Sequence, residues 1–290
     1  MPKSLISVGQ LIDHSWDVYR TRFNELMTIS GWLILTAVFY ALALAFYPSA
    51  STMEAGIALS SMESFGVIFF MLTTMIIAPI MSFWIYTSLA RALSVHFAGR
   101  KPNPKKAMTQ GKKAFVPALI TSAMVMLMML LAIVIGFGPA VVLATIGSLL
   151  GAGSLVLISN ILLLVGIFVA VFLTAKWMVY YILAPLITII DGDKGKVALK
   201  KSRALIEGRF WGVLIRIAVP KLVFVIFGIF AMVMVGHIGS ILIDVSGGIS
   251  LDLQLRITTM TQTIVPIVIA AFINPLLIIS DVLLLRSLNE

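Results

Sequence analysis

The sequence contains no cysteine and only three histidines. The absence of cysteine excludes disulfide bonds, catalytic thiolates and cysteine-ligated metal sites. The histidines, His14, His96 and His237, lie in different segments, and none has the spacing of a metal-ligand pair. The sequence also has no cluster of residue types suited to catalysis. We therefore predict that the protein is not an enzyme and that it binds no metal and no cofactor.

Charged residues are scarce as well. Only 11% of the residues are charged, 60% are hydrophobic, and the mean hydropathy is +1.10. A water-facing surface needs many more charges, so this composition excludes a soluble domain of any size and predicts a single membrane domain over residues 1–290. We interpret the net charge of +9 as a basic cytoplasmic face that binds membrane lipids with anionic headgroups, and we predict no nucleic-acid partner.

Long apolar runs take up most of the chain. Each run can cross ~30 Å of hydrocarbon at ~1.5 Å per helical residue. The pattern predicts an all-α, polytopic membrane protein with six transmembrane helices. The runs cover residues 26–47, 65–89, 115–143, 155–190, 213–242 and 264–285.

Lysine and arginine fall almost entirely in alternate polar segments. Residues 48–64 contain neither residue type, residues 147–154 carry no charge, and residues 243–262 contain Arg256 as their only basic residue. The positive-inside rule therefore predicts a multi-pass protein of the cell (inner) membrane with both termini in the cytoplasm. The N-terminal stretch has no apolar core ahead of its first charges, so we expect no cleaved signal peptide and expect the first span to act as the anchor.

The layout repeats along the chain at intervals of roughly 95 residues. A polar leader precedes the first, third and fifth spans: SWDVYRTRF at 15–23, AMTQGKKAF at 107–115 and SRALIEGRF at 202–210. The outer two leaders share serine, arginine and phenylalanine at identical spacing, whereas the middle one keeps only the phenylalanine and the basic character. We predict three hairpins in a pseudo-threefold repeat, each preceded by an amphipathic cytoplasmic helix. The repeat units cover approximately 5–98, 104–190 and 194–288.

The leaders carry basic residues that could hold an anionic headgroup. The first and third leaders place apolar residues at helical spacing opposite charged ones, which is typical of a helix half buried among headgroups. The pattern leaves open that these apolar faces pack against the cytoplasmic ends of the bundle. The candidate headgroup-binding residues are Arg22, Lys112, Lys113, Lys200, Lys201 and Arg209.

The second helix of each predicted hairpin contains a proline, at Pro79, Pro185 and Pro275. Proline removes a backbone donor and opens the carbonyl four residues back, so these positions predict three comparable kinks. The alternative is that transmembrane helices simply contain more proline than soluble ones. Asn274 lies beside the last of these prolines, and we interpret its amide as a hydrogen-bonding link between helices.

Lys176 is the strongest candidate for a functional charge within the apolar runs, where charges are costly. It lies in an uncharged stretch beside Trp177, Tyr180 and Tyr181. If these aromatic residues mark the membrane interface, Lys176 reaches the headgroups and acts as an anchor. If the span continues past them, its ammonium lies near mid-membrane and needs Asp281, a tyrosine or an anionic headgroup as partner. We interpret Asp281 as a helix cap or as a member of an interhelix ion pair.

The segment ALKKSRALIEGRFWGVL at 198–214 resembles the hallmark of a broad prokaryotic group of six-span membrane proteins. That group includes the membrane domain attached to some glycerophosphoryl diester phosphodiesterases, together with standalone uncharacterised inner-membrane proteins. The charged turn IIDGDKG at 189–195 and the first leader extend the resemblance. The resemblance implies a six-span fold and no agreed catalytic residue. A phosphodiesterase domain is not present in this sequence, so that activity is not implied.

Two functions stay open at this stage. The first is a non-enzymatic membrane protein that acts with lipid, in envelope maintenance or as a lipid-binding scaffold. The second is a small-molecule or ion transporter or channel with a pathway between the proline-containing helices, with Lys176 facing it. The candidate pathway residues are Lys176, Pro79, Pro185, Pro275, Asn274 and Asp281. The spans offer few polar residues to line such a pathway. A membrane-protein partner or a second copy of the chain could also pack on small-residue faces, with Gly136, Gly138, Gly147 and Gly151 as examples.

Overall fold

The computed structural model describes residues 5–56, 58–245 and 250–289. Within these ranges the chain forms helices joined by short turns and contains no strand. The α-helices are α1 (Val8–Thr21), α2 (Phe23–Ser30), α3 (Leu33–Ala45), α4 (Ala50–Glu54), α5 (Ser61–Leu72), α6 (Ala78–Phe97), α7 (Pro104–Leu149), α8 (Gly153–Tyr181), α9 (Ala184–Ile190), α10 (Lys196–Ile206), α11 (Phe210–Val245) and α12 (Leu251–Asn289). A π-helical segment, Thr73–Ile77, joins α5 to α6.

Among the described residues, six helical segments are long and apolar enough to cross a membrane, which confirms the predicted number of spans. Large apolar side chains on these segments face outward, and Met75 and Phe168 are 75% and 76% exposed. Such exposure is unfavourable in water but normal for a surface that faces lipid tails. The protein is therefore a multi-pass membrane protein. The segments are Phe23–Ala45, Ser61–Phe97, Pro104–Leu149, Gly153–Ile190, Phe210–Ile241 and Leu251–Asn289.

Residue contacts divide the chain into two compact units. Unit 1 consists of Met1–Phe115 and Arg216–Ser287, and unit 2 consists of Val116–Ile215 and Leu288–Glu290. Among the described residues, unit 1 holds α1 to α6, the first turns of α7 and most of α11 and α12. Unit 2 holds the rest of α7, α8 to α10 and the start of α11. The single-domain assignment and the threefold repeat stay predictions.

Unit 1 joins the N-terminal helices to the last helix. The first leader is the amphipathic helix α1, which starts with a capping box between Ser7 and Gln10 and buries Leu11 and Tyr19. Side-chain to backbone hydrogen bonds tie α12 to α2, to the end of α3 and to the end of α6. The pairs are Ser30 Oγ with the Ala271 carbonyl, Arg256 with the Leu44 and Ala45 carbonyls, and Arg286 with the Phe97 carbonyl.

In unit 2, the third leader is the separate helix α10, which packs on α8 and α9. The Ser202 hydroxyl donates to the Tyr180 carbonyl at 2.6 Å, and this bond fixes α10 against the end of α8. Gly136 of α7 and Gly166 of α8 let the two backbones approach closely, because a Cβ on Gly136 would lie 2.6 Å from the Gly166 carbonyl oxygen. Gly136 is therefore buried within the chain and does not form part of an open docking face.

The middle leader differs from the prediction. Residues 107–115 do not form a separate helix but continue within α7, which runs unbroken from Pro104 to Leu149. Alanine, glutamine and lysine favour helix, so nothing in this leader ends it. Gly111 lies inside this helix because its backbone packs directly on Ser88, where a Cβ would find no space.

The three predicted proline kinks also differ from one another. Pro79 is the second residue of α6 and follows the π-helical segment. Pro185 is the second residue of α9, which begins after a two-residue interruption at 182–183, whereas Pro275 lies inside the uninterrupted α12. The three sites are therefore not equivalent. The missing N–H group is accommodated next to a π-helical turn at Pro79, next to a helix break at Pro185 and within a continuous helix at Pro275.

Candidate functional site

A crevice of about 280 Å³ opens between the end of α8 and the start of α11 in unit 2. Its walls are almost entirely apolar and aromatic, and they all belong to unit 2. We call it the Lys176 crevice because Lys176 is its only charged lining residue. The lining residues are Phe172, Ala175, Lys176, Val179, Tyr180, Phe210, Trp211 and Leu214.

The Lys176 side chain is exposed, and its Nζ atom lies 5.9 Å from the centre of the Phe172 ring. It forms no ion pair with any residue described in the structure. Lys176 is therefore exposed beside an apolar crevice and is not buried between helices next to a polar cavity. Its charge is available to an anionic group outside the protein.

Aromatic contacts hold the crevice in shape. The Tyr180 ring lies 5.6 Å from the Phe210 ring, and the Arg203 guanidinium lies 5.9 Å from the Tyr180 ring centre. Phe210 in turn packs edge-on against Trp211 at 5.3 Å. These contacts fix the turn between α10 and α11 to the end of α8. Arg209 lies in this turn and directly precedes Phe210, which lines the crevice.

The basic residues predicted to bind headgroups differ in their surroundings within unit 2. Lys201 donates to Asp191 at 2.8 Å and to Asp193 at 2.9 Å, so its charge is already compensated. These two hydrogen bonds raise the pKa of the Lys201 ammonium above its ordinary value. Lys200 is exposed and Arg209 is partly buried, and neither forms an ion pair within the described residues. Lys200 and Arg209 therefore remain candidates, whereas Lys201 stabilises the charged turn.

The other predicted headgroup residues lie in unit 1. Arg22 lies 3.4 Å from Glu25, its neighbour on the next helical turn. Lys112 and Lys113 are exposed on the first turns of α7. The charge of Arg22 is therefore partly compensated by Glu25, whereas the exposed ammonium groups of Lys112 and Lys113 are available to anionic groups outside the protein.

Asp281 forms an ion pair with Lys221 that joins α12 to α11 within unit 1. The distance from Lys221 Nζ to Asp281 Oδ2 is 3.0 Å, and the two side chains are 30% and 18% exposed. This contact confirms the interpretation of Asp281 as a member of an interhelix ion pair. It also supplies Asp281 with a partner other than Lys176.

A second cavity, of about 300 Å³, lies in unit 1 between α3, the π-helical segment with α6, and α12. Five hydroxyl groups and one amide line it, and none of its lining residues is charged. We call it the polar cavity. Asn274 lines the cavity, and so does Ala78, the residue before Pro79, so the structure brings one predicted pathway residue into this site and places another directly beside it. Its polar lining residues are Thr36, Tyr40, Thr74, Ser82, Thr263 and Asn274.

Sequence reasoning missed five of these six polar residues. Single threonines and serines are common in transmembrane helices, so each one alone carries little signal. A usable signal would have been their helical spacing, since Thr36 and Tyr40 lie one turn apart on α3. Lys176 and Pro185, which were predicted to belong to the same pathway, lie in unit 2.

The described residues contain no group of His, Asp or Glu side chains able to hold a metal ion. The chain matches no protein-family model, no curated protein and no solved structure. The two cavities and the charges around them are therefore the features of the molecule that bear on its function.

Proposed function

We propose that the protein is a non-enzymatic integral membrane protein that binds anionic lipid in the Lys176 crevice, in a scaffold or envelope-maintenance role. The observation that carries this proposal is an exposed ammonium that lines an otherwise apolar crevice on transmembrane helices and forms no ion pair with any residue that the structure describes. The apolar walls suit an acyl chain, and the ammonium suits a phosphate.

The energetics favour lipid over other ligands at this position. Covering the crevice walls with an acyl chain keeps apolar surface in apolar surroundings, and a cation near the headgroups attracts anionic lipid by roughly 1 kcal/mol. Tyr180 and Trp211 are amphipathic side chains of the kind that lie at the level of headgroups. Arg209 and Lys200 would add attraction from the adjoining turn.

We further propose that the protein lies in the cell (inner) membrane with both termini in the cytoplasm. The support is the distribution of lysine and arginine, which leaves residues 48–64 without either. The resemblance to the membrane domain of glycerophosphoryl diester phosphodiesterases and the three-hairpin repeat agree with this arrangement. Reporter fusions at residues 48–64 and at Lys105 test it, since the proposal requires the two sites to report opposite compartments.

Native mass spectrometry after gentle extraction tests the lipid proposal. The protein is incubated with equal amounts of phosphatidylglycerol and phosphatidylcholine, and the retained lipid is counted. We expect the wild type to retain phosphatidylglycerol preferentially, K176Q to lose that preference and K176R to keep it. The matched control is K196Q, which removes an exposed lysine from α10 outside the crevice.

The same experiment separates the acyl-chain contribution from the headgroup contribution. Trp211→Ala opens the apolar wall without changing any charge, so both lipids should be retained less. Equal retention of phosphatidylglycerol by the wild type and K176Q would contradict the proposal. A loss in K196Q as large as in K176Q would show that net charge, and not the crevice, determines retention.

The alternative is a transporter or channel, and the polar cavity of unit 1 is the observation that favours it. The cavity lies beside the residues that precede Pro79 and includes Asn274. Against it, Lys176 does not line this cavity. Uptake of solute into liposomes that contain the protein would distinguish transport from lipid binding.

A further inference from the structure

The polar cavity gathers hydrogen-bonding groups in the middle of transmembrane helices. Thr36 and Tyr40 come from α3, Thr74 from the π-helical segment, and Thr263 and Asn274 from α12. Lipid tails offer no hydrogen bonds, and an unsatisfied polar group in hydrocarbon costs several kcal/mol. A cavity of about 300 Å³ has the volume of roughly ten water molecules. It therefore has the space for a polar occupant.

The lining groups present mainly acceptors to that occupant. The hydroxyls of Thr74 and Thr263 donate to backbone carbonyls of Phe70 and Thr259 at 2.9 and 2.8 Å, and Thr36 does the same with Leu33. The Tyr40 hydroxyl donates to Thr74 Oγ1 at 3.1 Å. Since each of these hydrogens is already used, the oxygen lone pairs are what remains. The occupant should therefore be rich in hydrogen-bond donors.

Asn274 and Ser82 complete the lining with unused capacity. Neither side chain forms a hydrogen bond within the described part of the chain, so the predicted interhelix hydrogen bond of Asn274 is not present. The amide of Asn274 offers two donors and one acceptor, and the Ser82 hydroxyl offers one donor. A ligand with hydroxyl groups, which both donate and accept, satisfies this combination.

The backbone beside the cavity supports a binding role independently. Thr74 belongs to the π-helical segment Thr73–Ile77, which is directly followed by the helix start at Ala78 and Pro79. π-helical turns are rare and cost stability, and they occur frequently at functional sites. Thr74 in this segment accepts the Tyr40 hydrogen bond that forms one wall of the cavity.

The absence of charge in the lining selects the class of ligand. An ammonium or metal cation would also accept lone pairs, but a cation within hydrocarbon is costly without a nearby carboxylate. The lining contains no carboxylate. The volume lies at the lower end of the range of small-molecule sites, so the ligand is small.

We propose that the polar cavity binds a small uncharged polyhydroxyl solute. This inference goes beyond lipid binding in the Lys176 crevice, because it concerns a different unit of the chain and a ligand of different chemistry. It requires no transport step.

Saturation-transfer NMR with xylitol as the probe tests the proposal on the full chain. The protein is placed in phospholipid nanodiscs, because sugar-headed detergents would compete for the site. We expect a xylitol signal from the wild type and a roughly fivefold or greater weakening of binding in T263V and N274L.

Matched controls exist for both substitutions. T258V removes another α12 hydroxyl that donates to the carbonyl four residues back at 2.8 Å, as Thr263 does, so its effect on the helix is the same. N160L makes the same amide-to-leucine change on α8 in unit 2. Both control variants should bind xylitol like the wild type.

Each outcome bears on the proposal. Xylitol binding that is weakened in T263V and N274L but not in T258V and N160L supports it. No xylitol signal above that of empty nanodiscs overturns it, as does equal binding in all variants. Binding of methylammonium in place of xylitol would overturn the assignment to an uncharged ligand. A failed lipid experiment with a positive xylitol result would remove the proposed function and leave this inference standing.

Discussion

Replacement of Asp281 or Lys221 provides the sharpest test of the energetics in unit 1. The two side chains meet at 3.0 Å between α12 and α11, and they are 18% and 30% exposed. Asn at position 281 keeps the shape of the side chain and removes its charge, which leaves the Lys221 ammonium without a partner. K221M leaves the Asp281 carboxylate without a cationic partner. The double variant removes both charges together.

The expected magnitude follows from the geometry. At 3.0 Å and an effective dielectric constant of about 20, the attraction is roughly 5–6 kcal/mol, and much of it is offset by the cost of desolvating both ions. Breaking a fully buried pair costs about 3–5 kcal/mol, so a partly exposed pair should cost about 2–4 kcal/mol in D281N or K221M. The double variant should lose less than either single variant, because it leaves no unpaired charge.

Reversible unfolding in bicelles, arranged as a double-mutant cycle, measures these differences. The control is D17N, which breaks a 2.7 Å ion pair with Arg20 whose side chains are 59% and 65% exposed. Such a surface pair contributes about 0–1 kcal/mol. The reasoning is refuted if D281N costs no more than D17N, or if the D281N and K221M losses simply add in the double variant.

Two further predictions concern unit 2. Hydrogen bonds to Asp191 and Asp193 raise the pKa of Lys201 in the folded protein. The stabilising contribution of Lys201 is therefore fully present below pH 10.5 and disappears as the pH rises through the higher pKa of the folded state. Thermal unfolding of the wild type and K201M from pH 8 to 11.5 should give stability curves that converge only at the alkaline end. G136A should lower stability by about 1–3 kcal/mol through overpacking, whereas G138A should change it little, since a Cβ there meets only one atom, at 4.0 Å. Equal thermal shifts in the two alanine variants would contradict the close helix contact.

The number of spans could be predicted because each apolar run exceeds the thickness of hydrocarbon. The leaders were predicted less well, since amphipathic spacing identifies α1 and α10 but does not show whether a leader is separate from the next helix. In the middle leader most residues favour helix, and α7 continues from Pro104 through Gly111. Local composition therefore indicated the helices correctly but not where one helix ends and the next begins, and the packing of Gly111 on Ser88 inside α7 could not be predicted from it.

The candidate sites were only partly predictable for a related reason. Asp281 stood out because a carboxylate in an apolar run needs a partner, but its partner Lys221 lies 60 residues away in the sequence and could not be identified by spacing. Lys201 was predicted to bind a headgroup from its charge alone, but its ammonium pairs with Asp191 and Asp193 in the turn that precedes α10. The polar cavity was missed because its hydroxyls come from three separate helices and become a site only when those helices pack.

The bonds between α12 and the first helices set an order for biogenesis. A ribosome releases the first span long before Arg256 exists, so the Ala45 carbonyl must stay solvated or find a temporary partner until the last helix is made, whereas the Leu44 carbonyl already accepts from the Tyr47 N–H. The Phe97 carbonyl likewise gains its hydrogen bond from Arg286 only after the end of the last helix has been synthesised. Insertion of the early spans and closure of unit 1 are thus separate events, and the second belongs to the final moments of translation or follows it.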